Sequence, residues 1–181
     1  MAASIEHQQL PLPRIEGARL LVVVAPYYRS IAEAMVVGAR AVAAEAGASV
    51  DLVEVPGALE VPTAIALVAA RGLYDGYVAI GCVIRGETTH YDTVCNDSSR
   101  GLTLLGLQGH CIGNGILTVE NYEQAAVRAD PEGQNKGGGA AAAALHLIAL
   151  KRRWESRTAG EGAVSSDIIR LAGELDGPRG A

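Results

Sequence analysis

The sequence predicts an α/β fold: a three-layer sandwich in which helices cover both faces of a central four-stranded parallel sheet. Three observations predict it. Four short β-type apolar runs alternate with helical patterns along residues 19–154. The first of these runs is continuous rather than alternating, as suits a strand covered on both faces. The connections are short, and parallel neighbours need a crossover, which is right-handed and lays a helix against the sheet.

Each element follows from local chemistry. Residues 20–25 (Leu-Leu-Val-Val-Val-Ala) form the first strand, ended by Pro26. Residues 31–46 place Ile31, Met35, Gly38, Ala39, Val42 and Ala46 at helical spacing, and Gly47 closes the helix. Residues 50–55 are a second strand stopped by Pro56 and Gly57, and residues 60–70 a helix closed by Arg71 and Gly72. Residues 77–84 read as the third strand and 89–107 as the longest helix, with Thr89 and Asp92 spaced as a capping box. A fourth strand at 110–117 and a helix from about 120 to 129 precede the breaker stretch Asp130-Pro131-Glu132-Gly133-Gln134. The last long helix covers about 139–154. The arrangement is flavodoxin-like, and in such sheets ligands bind at the carboxyl ends of the strands. The loops after Ala25, Val55, Ile84 and Leu117 are therefore where function is expected.

Three parts are expected: an N-terminal arm (1–17), a single domain (18–154) and a flexible C-terminal tail (155–181). The tail is small and polar in texture, with a short amphipathic helix around 166–175. The segment before Pro13 holds an acidic residue, a histidine and two glutamines ahead of any apolar stretch, which does not read as a signal peptide. No apolar run approaches ~18 residues.

Composition narrows the function classes. Of 181 residues, 31 are Ala and 22 Gly, and there is no Phe; six Tyr and one Trp supply every aromatic ring. The core must come from Val, Leu, Ile and close backbone packing, and a nucleic-acid binder built on aromatic platforms is excluded. Fifteen Lys and Arg against 20 Asp and Glu give a net charge of −5. Nothing global attracts nucleic acid or anionic membrane, so an anionic ligand must be caught locally. Cys82, Cys95 and Cys111 are odd in number and lack C-x-x-C spacing, which favours structural thiols in a reducing cytoplasm. His7, His90, His110 and His146 show no metal-ligand spacing, and His146 reads as a packed helix residue. No Walker A loop or G-x-G-x-x-G motif is present, so nucleoside triphosphates and dinucleotides are poor candidates.

The chemistry concentrates where the third strand becomes a helix. Gly86 permits a tight turn, and the amides around Gly86, Glu87 and Thr88 face outward at the positive end of a helix dipole, an anion site. His90 stands in the first turn beside it, and a neutral histidine next to a bound anion is suited to shuttling protons. Arg128, at the end of the fourth helix, offers phosphate a bidentate fork, and Lys136 adds a point charge at a Gly-rich helix start. Taken singly, each has a plainer reading: a histidine filling a helix start, a helix-terminal arginine and a solvated lysine. Pro26-Tyr27-Tyr28 and Pro56-Gly57-Ala58-Leu59-Glu60 complete the rim. Tyr27 could stack on a planar ligand, and the backbone of 57–59 could meet its edge.

Four linked blocks bring these readings together. They are Val55-Pro56-Gly57-Ala58-Leu59-Glu60-Val61-Pro62; Gly81-Cys82-Val83-Ile84-Arg85-Gly86-Glu87-Thr88-Thr89-His90-Tyr91-Asp92; Gly115-Ile116-Leu117-Thr118 with Glu123-Gln124-Ala125 and Arg128; and Asn135-Lys136-Gly137. In order and spacing they resemble the lumazine synthase family, over about residues 19–154. The resemblance implies condensation of 5-amino-6-(D-ribitylamino)uracil with 3,4-dihydroxy-2-butanone 4-phosphate to 6,7-dimethyl-8-ribityllumazine, phosphate and water, the penultimate step of riboflavin synthesis. It implies no cofactor and no metal. By position it makes His90 the general acid/base and Arg128 the phosphate-binding arginine, acting with the amides of Gly86, Glu87 and Thr88. Tyr27 matches the residue stacked on the pyrimidine. Ala58, Leu59 and Glu60, with Cys82, Val83 and Ile84, match the stretches holding the uracil edge and ribityl chain. Holding two substrates together is itself a large catalytic effect.

Two positions depart from the family pattern. Gly139 stands where a carboxylate usually follows the lysine by three residues, and Asn114 where many members carry an aromatic residue lining the site. Those departures motivate an alternative, a catalytically weak lumazine- or flavin-binding or shell-forming paralogue. Archaeal-type riboflavin synthase is a further alternative, though that family does not carry the histidine block. The resemblance also implies sites formed between neighbouring subunits of a homopentamer, icosahedral assembly in some members, and riboflavin synthase as a partner. Residues 10–13 are a candidate to pair with a neighbour's sheet.

Overall fold

The apolar run of residues 20–25 forms the inner strand of the sheet because partners surround it. The structure, a computed structural model, describes residues 10–159. In it, β1 (Arg19–Val24) is buried at every position after Arg19. It lies between β2 (Ser49–Glu54) and β3 (Gly76–Ile84), and β4 (Cys111–Val119) completes a parallel sheet of order β2-β1-β3-β4. The expected α/β class with four parallel strands is what the chain adopts. β1 pairs with β3 only as far as Val24 and Ile80, whereas β3 and β4 stay in register to Ile84 and Val119. The ends of β3 and β4 therefore project together beyond the rest of the sheet.

The helices divide between the two faces. α1 (Arg29–Glu45), α4 (Tyr122–Ala129) and α5 (Lys136–Ala159) cover one, where Leu20, Val22, Val24, Met35, Ile80, Ala141 and Leu145 form the larger core cluster. α2 (Glu60–Ala69) and α3 (His90–Leu107) cover the other, over Leu21, Val23, Val61, Ile65, Tyr77 and Leu102. No helix among the described residues is long and apolar enough to cross a membrane.

Small residues set how closely α5 approaches. A Cβ added at Gly113 would strike the Ala140 backbone oxygen, and one at Gly137 the Met35 carbonyl. Ala140, Ala141 and Ala144 fill the remaining space without rings. A chain with no Phe thus gains its core by bringing backbones together, which suits the high packing density of protein interiors.

Several boundaries differ from expectation. α5 begins at Lys136 rather than 139 because Asn135, at φ 43°, caps it: the Asn135 Oδ1 accepts from Gly138 N at 3.0 Å. It continues to Ala159, beyond the expected end at 154. α4 starts at Tyr122, since Asn121 Oδ1 accepts from Gln124 N at 2.9 Å and so marks the cap. β4 runs to Val119 because β3 pairs with it that far. The capping box does not form: Thr89 has helical φ and ψ and no side-chain cap bond, and Asp92 turns to Arg85 instead. At the start, Ile15 is buried and its N–H bonds to Ala46 O at 2.7 Å, while Leu10 is exposed. The expected helix at 166–175 lies outside the described residues.

Candidate active site

A cleft of about 440 Å³ opens at the carboxyl ends of β1, β2 and β3. It is lined by Tyr27 and Tyr28, the turn 56–60, Cys82, Val83 and Ile84, and His90 with Val94 from the first turns of α3. Tyr27 is 77% exposed, an unusual position for a ring in a chain with so few, and meets Tyr28 edge to face at 5.1 Å. Gly57 sits beneath the Glu60 carboxylate, which would approach a Cβ there to 2.9 Å. Cys82 forms the floor; burial pushes its thiol up to about 11, so it presents a neutral S–H. The three cysteines are free thiols, as expected. His90 is the first residue of α3, exposed, and its imidazole makes no hydrogen bond among the described residues.

Arg85 follows directly on the projecting end of β3. Its Nε donates to both oxygens of Glu120, at 2.9 and 3.1 Å, and its NH1 lies 3.4 Å from Asp92 Oδ1. The guanidinium is 4.0 Å from the centre of the Tyr91 ring. The hydrogen bond to Glu120 holds the Arg85 pKa above its ordinary value. Arg85 belongs to a block singled out in the sequence, but Glu120 is 35 residues further on and carries no local signal of the pairing.

A second cleft, of about 460 Å³, lies at the outer edge of the sheet between β4, α4 and α5. Asn114, Thr118, Arg128, Lys136 and Gly139 line it. Arg128 spends one N–H on Gln124 O at 3.0 Å and has no carboxylate partner among the described residues; neither has Lys136. Asn114 Oδ1 accepts from Ile116 N at 3.0 Å, which turns its NH₂ group outward. A Cβ at Gly139 would meet nothing within 4 Å, so space is open beside Lys136.

The residues expected to form one site thus fall into two groups on one chain. Tyr27, Ala58, Leu59, Glu60, Cys82, Val83, Ile84 and His90 share the first cleft; Asn114, Arg128 and Lys136 share the second. The clefts have no lining residue in common, and the exposed Gly86, Glu87 and Thr88 line neither. Val94 is one helical turn after His90, a spacing that could have placed it beside the histidine. Thr118 follows Asn114 and Ile116 on one side of β4 by strand alternation.

A family model for 6,7-dimethyl-8-ribityllumazine synthase matches residues 17–152. The chain belongs to this family. The match begins before β1 and ends within α5, so the lumazine synthase pattern takes in both clefts. The chain is 56% identical over 146 residues to the 6,7-dimethyl-8-ribityllumazine synthase of Jannaschia sp., covering 80% of this chain and 82% of that protein. It is 55% identical over 137 residues to that of Novosphingobium aromaticivorans, covering 76% and 99%. For the lumazine synthase of Zymomonas mobilis the identity is 49% over 136 residues, covering 75% and 98%.

Proposed function

We propose that this chain condenses 5-amino-6-(D-ribitylamino)uracil with 3,4-dihydroxy-2-butanone 4-phosphate to 6,7-dimethyl-8-ribityllumazine, releasing phosphate and water. The observation that carries the reading is the pairing of family membership with two clefts of complementary chemistry. In the first, Tyr27 stacks on the planar pyrimidine, and the segments 58–60 and 82–84 hold the uracil edge and ribityl chain. His90 moves protons as the amine adds to the ketone, as phosphate leaves and as the ring closes. In the second, Arg128 and Lys136 hold the phosphate with uncompensated positive charge, and Asn114 offers its NH₂ group to a substrate oxygen. The amides of 86–88 lie at the start of α3, where the helix dipole also favours an anion.

Because one chain keeps His90 and Arg128 in separate clefts, the reading places the complete site between two copies, the first cleft of one facing the second cleft of the next. The family resemblance makes that assembly a homopentamer or a larger assembly of pentamers, up to an icosahedral shell. Residues 18–154 act as the catalytic domain, with an arm before it and a tail after it. A cytoplasmic setting and riboflavin synthase as the consumer of the product complete the proposal.

A second reading, lumazine or flavin binding with weak catalysis, is favoured by the open space at Gly139, which leaves Lys136 without a carboxylate. One assay separates the two. With both substrates present, lumazine absorbance should rise far faster with the chain than without it, and His90→Ala should slow turnover by roughly a hundredfold. A native rate equal to the uncatalysed background overturns the enzyme reading and leaves the binding one.

A further inference from the structure

The segment that presents His90 has few fixings of its own. Residues 86–88 make no backbone hydrogen bond to the rest of the described chain, and α3 begins without a side-chain cap. The one local bond, His90 N to Thr88 Oγ1, is long at 3.4 Å. Yet both residues after His90 are gripped. Arg85 stacks on Tyr91 and reaches Asp92, while its Nε is held by Glu120 beyond the end of β4. Glu120 is itself fixed, since its N–H donates to Gln124 Oε1 at 3.0 Å, and Gln124 N closes the cap on Asn121. An isolated exposed ion pair holds little. A guanidinium held by two carboxylates and a ring is a network, and its charge is already matched.

We propose that Arg85 is a positioning residue: it ties the first turn of α3 to the end of β4 and so fixes the His90 imidazole at the mouth of the first cleft, rather than binding substrate itself. The proposal deepens the functional reading above and rests on His90 being the proton shuttle. An imidazole shifted by about 1 Å is enough to slow a reaction by up to a hundredfold. The cleft walls at Tyr27 and 57–60 lie on other elements, and 82–84 are held by backbone pairing of β3 with β4 rather than by the Arg85 side chain, so pyrimidine binding should not depend on that side chain.

The test uses the full chain and two measurements. Hydrogen–deuterium exchange should be faster in the peptide spanning 84–94 in Arg85→Met than in the native chain, with α1 unchanged. Steady-state kinetics should show kcat reduced about tenfold, with KM for the ribitylaminouracil unchanged. Glu120→Gln, which keeps an acceptor but loses the charge, should move both measurements in the same direction by less, and guards against a folding defect in the arginine variant. Native exchange in both variants overturns the proposal. So does native kcat accompanying faster exchange. A raised KM for the phosphate substrate alone, with native exchange, overturns it in favour of Arg85 as a phosphate ligand. If the native chain shows no turnover, it is the functional reading that fails, and exchange still decides whether Arg85 fixes the turn.

Discussion

Cys82 illustrates how a residue's surroundings change its chemistry without changing its identity. At 7% exposure, its thiol holds its proton to about 11 against an ordinary value of 9.0. An unfolded thiol ionises near the ordinary value, so between the two the folded chain binds the proton more tightly. The resulting stabilisation is complete below 9.0 and is lost as pH rises towards 11. Urea unfolding at about pH 8 and about pH 10.5 should show the native chain losing stability, and Cys82→Ala losing less. Equal losses would remove Cys82 as the cause. Chain position made Cys82 legible as a strand residue near the site; only the packing around it decides its protonation. His90 and Arg128 were similarly visible by type and spacing, whereas the pairing of Arg85 was not, because its partner Glu120 arrives from a different strand end.

At the scale of elements, α5 shows what small residues contribute. The glycines after Lys136 have low helix propensity, and the expected helix starts only at about 139. They are instead helical, because Asn135 caps the turn and because α1 leaves room for no side chain at Gly137. An alanine there would meet Met35 C at 2.7 Å. Gly137→Ala should therefore destabilise the chain by about 1–3 kcal/mol through overpacking. Gly139→Ala, facing open space, should instead leave stability unchanged or raise it by up to about 1 kcal/mol from helix propensity. Thermal unfolding of the two variants checks the opposite signs; a shift of the same sign in both would sink the packing argument. The Thr89–Asp92 spacing failed for a related reason. A capping box needs Asp92 to reach back to the helix start, and Arg85 draws that carboxylate away.

On the scale of the whole molecule, the two clefts are the informative feature. On the proposed reading each holds half of the required chemistry, and α2 and α3 leave Leu67, Leu104 and Leu107 exposed, the last at 80%. Exposed leucines of this number on one side of a small protein favour burial against another surface. Light scattering on the purified chain should therefore give a mass well above one chain of 18.7 kDa, and the pentamer implied by the family resemblance sets the expected value at five chains or more. A monodisperse monomer or dimer would count against a site shared between subunits. Mixing His90→Ala with Arg128→Ala should then restore part of the activity that each lacks alone, because some shared sites in the mixed rings are intact; no recovery would place both residues in one chain's site.

By itself, the amino-acid sequence determined the α/β class, the four parallel strands and the family, because apolar periodicity and motif spacing are properties of neighbouring residues. It also singled out His90, Arg128, Lys136 and Tyr27 by type and position, though not Val94, which lines the first cleft. Only the tertiary structure decided how those residues group. The sheet order puts β4 at an edge, far from β2, so His90 and Arg128 open into different clefts although both follow strand ends. It likewise decided that Arg85 is spent on Glu120 and Asp92. That pairing depends on β3 and β4 projecting together, a distance between strand ends that no local spacing encodes.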